Sequence, residues 1–164
     1  GEGCGFDREF TEVVLPAHLN HMQHTFGGIV MGWMCKAALA EASRKSKRSC
    51  GSLQILSVMR IEFASGSDVS NHLVFRPRLN AIFDDARSAE IEVRVSRRSI
   101  ETGVETYMNT GYFYISEGGE SDANKRPFTS SRDFISSARR DSLWGRVESD
   151  ASWRRRLLLA RRRL

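Results

Sequence analysis

The chain has no apolar run approaching the roughly 20 residues that cross a bilayer, and no charged segment leading into an apolar one as in a secretory leader. Stable insertion in a membrane is therefore not expected. It has only three cysteines, Cys4, Cys35 and Cys50. They follow no zinc spacing, and an odd number cannot all pair. Free thiols in a reducing compartment are the simplest reading, the cytoplasm first and the mitochondrion as the alternative. No stretch repeats itself, and 164 residues amount to one domain able to bury a core. The positive charge is accompanied by no base-reading or stacking motif, so nucleic acid is not an expected partner. The first residue is Gly1 rather than methionine. The chain thus reads as processed or as part of something longer, and a native targeting segment would then lie outside it.

What is present divides the chain in three. Hydrophobic residues make up 40%, enough for a folded body, and the formal net charge of +5 is concentrated towards the C-terminus. A body over 6–118 is followed by a polar loop, 119–132, and then a basic, partly helical tail, 133–164. Within the body, "FDREFTEVVL" (6–15) reads as a strand ended by Pro16. The segment from Phe26 to Arg44 reads as one long helix, apolar or small nearly all round and so buried, with its cationic end where the helix dipole favours it. The period then changes. "LQILSVMRIEFA" (53–64), "HLVFRPRLNAIF" (72–83), "SAEIEVRVSRRSI" (88–100) and "ETYMNTGYFYIS" (105–116) read as strands. In the third, Ile91, Val93 and Val95 face one way and Glu90, Glu92 and Arg94 the other. Pro77 marks an edge, bulge or bend, and "ETG" (101–103) a turn. One helix wrapped by one antiparallel sheet, an α+β architecture, satisfies that order.

The densest chemistry lies at 18–28, "HLNHMQHTFGG". His18, His21 and His24 recur every three residues, but regular spacing in a loop does not converge three or four ligands on an ion, and no metal is expected. Gly27 and Gly28 open the helix. There, unpaired backbone N–H groups and the positive dipole end suit an oxyanion or a polarised carbonyl. Tight packing of the helix start is the other explanation. Asn20 could orient a water or donate to a carbonyl, or simply shape a turn. The tail, "WRRRLLLARRRL", places arginines beside leucines. A role for it on anionic lipid or RNA requires steeply salt-dependent binding that disappears on cutting after about Pro127; a solvated covering helix is the plainer reading.

From about Glu12 to Ile115, and most specifically at "LPAHLNHMQHTFGGIVMGWM", the chain resembles the hotdog-fold acyl-CoA thioesterases, in particular the second hotdog repeat of the tandem-hotdog enzymes. The resemblance implies a central helix wrapped by an antiparallel sheet, paired with a second such domain into a double hotdog, with the sites between the two. It implies hydrolysis of acyl-CoA to a free acid and CoA. In that chemistry Asn20 is the loop asparagine, and the N–H groups of Gly27 and Gly28 polarise the thioester carbonyl. No separate cofactor is implied, coenzyme A being part of the substrate. Its phosphates would meet Arg87 and Ser88 in the turn before the third long strand, and Lys125 and Arg126 beyond the last.

The family also places an acid on the helix of the opposite domain, and counting from the glycines, that position here is Cys35. A thiol is mostly neutral at pH 7, and burial makes it more so. Glu41, six residues on, points about 120° away around the helix. The chain is therefore expected to supply the asparagine and glycine half of a site. Its partner would be a second hotdog domain or subunit, in a homo- or hetero-oligomer from dimer to hexamer. The alternative is a non-catalytic acyl-CoA-binding or dimerisation domain. Hydration of enoyl-CoA would need a catalytic histidine near the helix; His24 is close, but the arrangement fits a thioesterase better.

Overall fold

A stretch of 20 residues without proline, closed by Arg44 and Lys45, forms α1 (Gly27–Ser46) in a computed structural model of the chain, which describes residues 8–117 apart from 60, 62 and 84–86. The helix starts one residue later and ends two residues later than the sequence pattern indicates. Lys47 terminates it in the left-handed conformation (φ 58°), its N–H donating to the carbonyl of Ser43. Around α1 wrap β1 (Phe10–Val13), β2 (Leu53–Met59), β3 (Asn71–Ile82), β4 (Ser88–Ser99) and β5 (Glu105–Glu117), all antiparallel, in the order β1-β3-β4-β5-β2. β3, β4, β5 and the β4–β5 turn fall where their periodicity places them. Gly103 supplies the positive φ (71°) that this turn requires.

Two expectations need correction. The first strand is short, covering four residues of the stretch read as 6–15 within the described chain. The strand read as 53–64 stops at Met59. Further on, the N–H of Ala64 donates to the Met108 carbonyl of β5, 2.9 Å. Pro77 proves compatible with a central strand for a local reason. β1 pairs with β3 only from His72 to Phe75, so no strand among the described residues lies beside Pro77 on that side. A register shift follows at Asn80.

The core lies between α1 and the concave face of the sheet. Val30, Met34, Ala37, Ala38 and Ala42 meet Leu73, Phe75, Ile91, Val93, Val95, Phe113 and Ile115, all buried. Small helix residues and a small sheet residue let the layers approach. A Cβ on Gly111 would stand 2.8 Å from the Met34 methyl, 3.0 Å from Ile61 and 3.1 Å from Phe113. Burial of a side chain such as Met34 stabilises the fold by roughly 1.5–3 kcal/mol. The helix is not covered all round, as its composition suggests it should be. The sheet hides one side, while Gly28, Met31, Gly32 and Lys36 stay exposed. No helix among the described residues is long and apolar enough to cross a membrane.

Candidate active site

The loop before α1 is built by Asn20. Its N–H donates to the His24 carbonyl (2.8 Å), and its Oδ1 accepts from the N–H groups of Met22 (2.9 Å) and His24 (3.1 Å). Those bonds close a tight turn with Gln23 at φ 61° and join Leu19 to Thr25 in a β-bridge. The turn-forming and the chemical readings of Asn20 are therefore compatible. The side-chain oxygen is used by the turn, which fixes the amide plane and leaves Nδ2 as the donor. The loop is pinned on both sides. Phe26 N–H donates to the His18 carbonyl (3.0 Å), and the His18 ring stands edge-on to Trp33 of α1 at 5.0 Å. Thr25 bonds Ser67 through its N–H (2.8 Å) and again through its hydroxyl.

That pinning presents the helix start. As its first two residues, Gly27 and Gly28 have N–H groups without intrahelical acceptors, at the positive end of a 20-residue helix. Nothing lies within 4 Å of a Cβ placed on Gly28, whereas one on Gly27 would stand 3.5 Å from the Phe63 ring. Phe26, Met31 and Phe63, 49%, 40% and 47% exposed, give the surroundings an apolar character. Two backbone donors beside open, apolar space can hold and polarise a carbonyl that gains negative charge.

Position 35 does not join this group within one chain. It lies eight residues along α1 from Gly27, about 12 Å at the helical rise. The Cys35 thiol is half-buried, and burial pushes its pKa up, so it stays protonated near neutrality. Glu41 is buried and held by Arg44 (2.7 Å) and Lys45. Arg87 and Ser88 stand at the far end of the sheet. The Arg87 carbonyl accepts from Glu117 N–H, and Glu117 pairs with Arg48 just past the helix end. The nine residue steps along β4 from Ser88 to Arg97, which donates to the Gly66 carbonyl beside the helix start, make that separation about 30 Å. Lys125 and Arg126, and the whole of the basic tail, lie outside the described residues.

The histidines do not converge. Nδ1 of His18 accepts from Leu15 N–H, His24 packs against Gly66, and His21 is exposed. Among the described residues no three His, Cys, Asp or Glu side chains are grouped as metal ligands. Sequence reasoning missed the segment 63–70, whose Phe63, Gly66 and Ser67 brace the helix start. Its composition carries no motif, and its contacts reach back some 40 residues. Asp68, its carboxyl kept below the usual range by two bonds from Ser70, gives that segment its own turn.

Comparison with known proteins agrees with this fold. No family model matches the chain. It is 40% identical over 84 residues to the acetyl-coenzyme A thioesterase of Rattus norvegicus, a match covering 51% of this chain and 14% of that protein. It is 34% identical over 95 residues to acyl-coenzyme A thioesterase 11 of Mus musculus, covering 57% and 15%. The chain thus spans about one-seventh of the length of these relatives. A solved hexameric acyl-CoA thioesterase superposes with a TM-score of 0.73 at 21% identity, over 96% of this chain and 93% of that one. One helix on a curled five-stranded antiparallel sheet is the hotdog fold of such thioesterase structures, and the resemblance read from the sequence is borne out.

Proposed function

We propose that this chain is an acyl-CoA thioesterase domain that hydrolyses the thioester to a free acid and CoA, contributing one half of a site completed by a partner domain. The observation that carries the proposal is the helix start, where the N–H groups of Gly27 and Gly28 have no intrahelical acceptor beside apolar side chains and Asn20 shapes the loop leading into them. A thioester carbonyl held there is polarised, and the oxyanion formed on attack by water is stabilised by preorganised donors. The missing element is a group to take the proton from water. Cys35 is a poor one, being neutral and about 12 Å from the glycines. A carboxylate on the helix of a second hotdog domain would supply it, and the uncovered apolar side of α1 is where such a domain would pack. CoA phosphates held by Arg87 and Ser88 would lie far from this chain's own glycines. That arrangement also calls for a site assembled from two domains. The hexameric state of the solved relative supports an oligomer of this kind. The free thiols of Cys35 and Cys50 support the reading of a reducing compartment, cytoplasmic or mitochondrial.

The half-buried, protonated Cys35 favours a second reading, a domain that binds acyl-CoA or supports assembly without turnover. Both readings require CoA binding, and only the first requires release of free CoA thiol. The test is to follow thiol release from short- and long-chain acyl-CoA by the purified 164-residue chain, alone and mixed with a hotdog domain bearing the acid. Weak or no turnover alone, rising on mixing, is expected. High turnover by the chain alone refutes the shared site, and binding without turnover in the mixture leaves the second reading.

A further inference from the structure

Arg97 is the arginine of β4 on the helix side of the sheet. It lies directly opposite Leu73, a fully buried core residue, and residues paired in this way share a face. Arg94 and Arg98 fall on the other face by alternation. There Arg98 and Arg76 close a ring with Glu9 and Glu105, and Arg94 meets Glu92 at 3.5 Å. Arg97 is used differently. Its Nη1 donates to a backbone carbonyl, that of Gly66, at 2.6 Å. A guanidinium donor makes that bond charge-assisted and stronger than an ordinary backbone one.

The Gly66 carbonyl lies in the middle of a span hung on the β4–β5 end of the sheet. On one side of it the Ser65 hydroxyl donates to the Tyr107 carbonyl (3.1 Å), and on the other the Ile100 N–H donates to the Ser70 carbonyl (3.0 Å). Between these anchors, Arg97 ties Gly66 to β4. The next residue, Ser67, is only 2% exposed and makes three bonds with Thr25. Its carbonyl accepts from the Thr25 N–H (2.8 Å) and hydroxyl (3.1 Å), and its own hydroxyl donates to the Thr25 oxygen (2.8 Å). Thr25 stands two residues before Gly27. The Asp68 carboxylate, fixed first by the Ser70 hydroxyl and then by the Ser70 N–H, also feels the charges of Arg97 and His24. The guanidinium is thus balanced across the span while its bond is spent on the backbone.

We propose that Arg97 is a positioning residue for thioester hydrolysis: it holds Gly66, which fixes Ser67, which fixes Thr25, and so sets the aim of the Gly27 and Gly28 N–H groups. This role rests on the reading of the helix start as the place where the thioester carbonyl is polarised. Arg97 itself touches neither carbonyl nor water. It acts on the transition state, because donors displaced by a fraction of an ångström no longer meet the oxyanion as it forms. Contacts to the rest of the acyl-CoA are unaltered, so kcat carries the effect and KM does not. Gly66 is exposed, so water can take over its carbonyl when the guanidinium is removed, and the fold loses little.

Arg97→Met keeps the aliphatic stem and removes the donors. In the full chain it is expected to speed hydrogen exchange at the Thr25 amide about tenfold or more, the worth of a bond from a charged group, with little change in the unfolding midpoint. In the mixture with an acid-bearing hotdog domain, kcat for acyl-CoA should fall about tenfold or more while KM stays within about twofold. Arg97→Lys, which keeps a cation and a donor, should recover part of both losses. Thr25→Val cuts the same chain of bonds at its other end, with an expected loss in kcat of roughly threefold or more, and reads it even if Arg97→Met does not fold. In the double variant the two losses should combine to less than their product. Thr25 exchange unchanged in Arg97→Met, a rise in KM with kcat unchanged, or losses that multiply independently would each overturn the proposal. Absence of thiol release by the wild-type mixture is instead a failure of the thioesterase reading, seen before any variant is compared, and the exchange measurement then decides by itself whether Arg97 holds the helix start.

Discussion

At the scale of the residue, Asn20 carries two roles on two atoms, and one substitution separates them. Asn20→Asp keeps an acceptor for the N–H groups of Met22 and His24 but removes the Nδ2 donor. If the amide donates to a thioester carbonyl, this variant should retain its melting temperature to within a few degrees. Its acyl-CoA turnover in the mixed assembly should fall by about 100-fold or more, the usual effect of losing one oxyanion donor. Asn20→Ala should lose both turnover and stability. A different residue makes part of the stability depend on acid pH. Glu105 is pulled down to about 2 from 4.5, first by its bonds from Arg76 and then by Arg98. A carboxyl with a depressed folded pKa contributes stability that is complete above its unfolded value and lost as pH falls through the folded one. Glu105→Gln should therefore cost about 1 kcal/mol at pH 7. The gap to wild type should close between pH 4.5 and about 2, as read from urea midpoints across that range.

At the scale of the element, two glycines with opposite surroundings test how α1 and the sheet meet. Gly32 lies inside the helix with nothing within 4 Å of an added Cβ, while Gly111 on β5 has three contacts at 3.1 Å or less. Gly32→Ala should stabilise the isolated chain by about 0.5–1 kcal/mol through helix propensity. Gly111→Ala should destabilise it by roughly 1–3 kcal/mol, since Ile61 and Phe113 close in as well as the Met34 methyl. Thermal melts of the two variants check both signs. The same contrast marks what could be read beforehand. The helix and the four long strands were legible because each repeats its own period, and "IEVRV" assigns its two faces by alternation alone. Gly27 and Gly28 were legible as a helix start with spare donors. The bracing of that start by Phe63 and Ser67, the early end of β2 at Met59 and the ring of Glu9, Arg76, Arg98 and Glu105 were not. Each depends on at least one pair of partners about 30 or more residues apart, even where, as with Arg98 and Glu105, another pair is near in sequence.

At the scale of the whole molecule, one geometric fact governs function. Along a straight helix, position 35 lies about 12 Å from the glycines that would hold the carbonyl. An acid introduced there cannot serve its own chain's site, and can serve only a site on a neighbour whose helix runs past in the other direction. Cys35→Asp is therefore a test of assembly as well as of chemistry. If two copies pack through the uncovered side of α1, each aspartate meets the other copy's Asn20 and glycines, and the variant should gain acyl-CoA hydrolysis as a homo-oligomer. That gain should rise with protein concentration across the association range, because the active species is not the single chain. Gly32→Ala in the Cys35→Asp background should lower the gain while leaving the folded single chain intact, as the added methyl stands in the space a neighbouring helix would occupy. Sedimentation and turnover measured on the same dilution series decide the matter. Activity that follows the oligomer fraction supports a shared site. Activity independent of concentration would mean that the acid reaches the carbonyl within one chain, against the helical spacing.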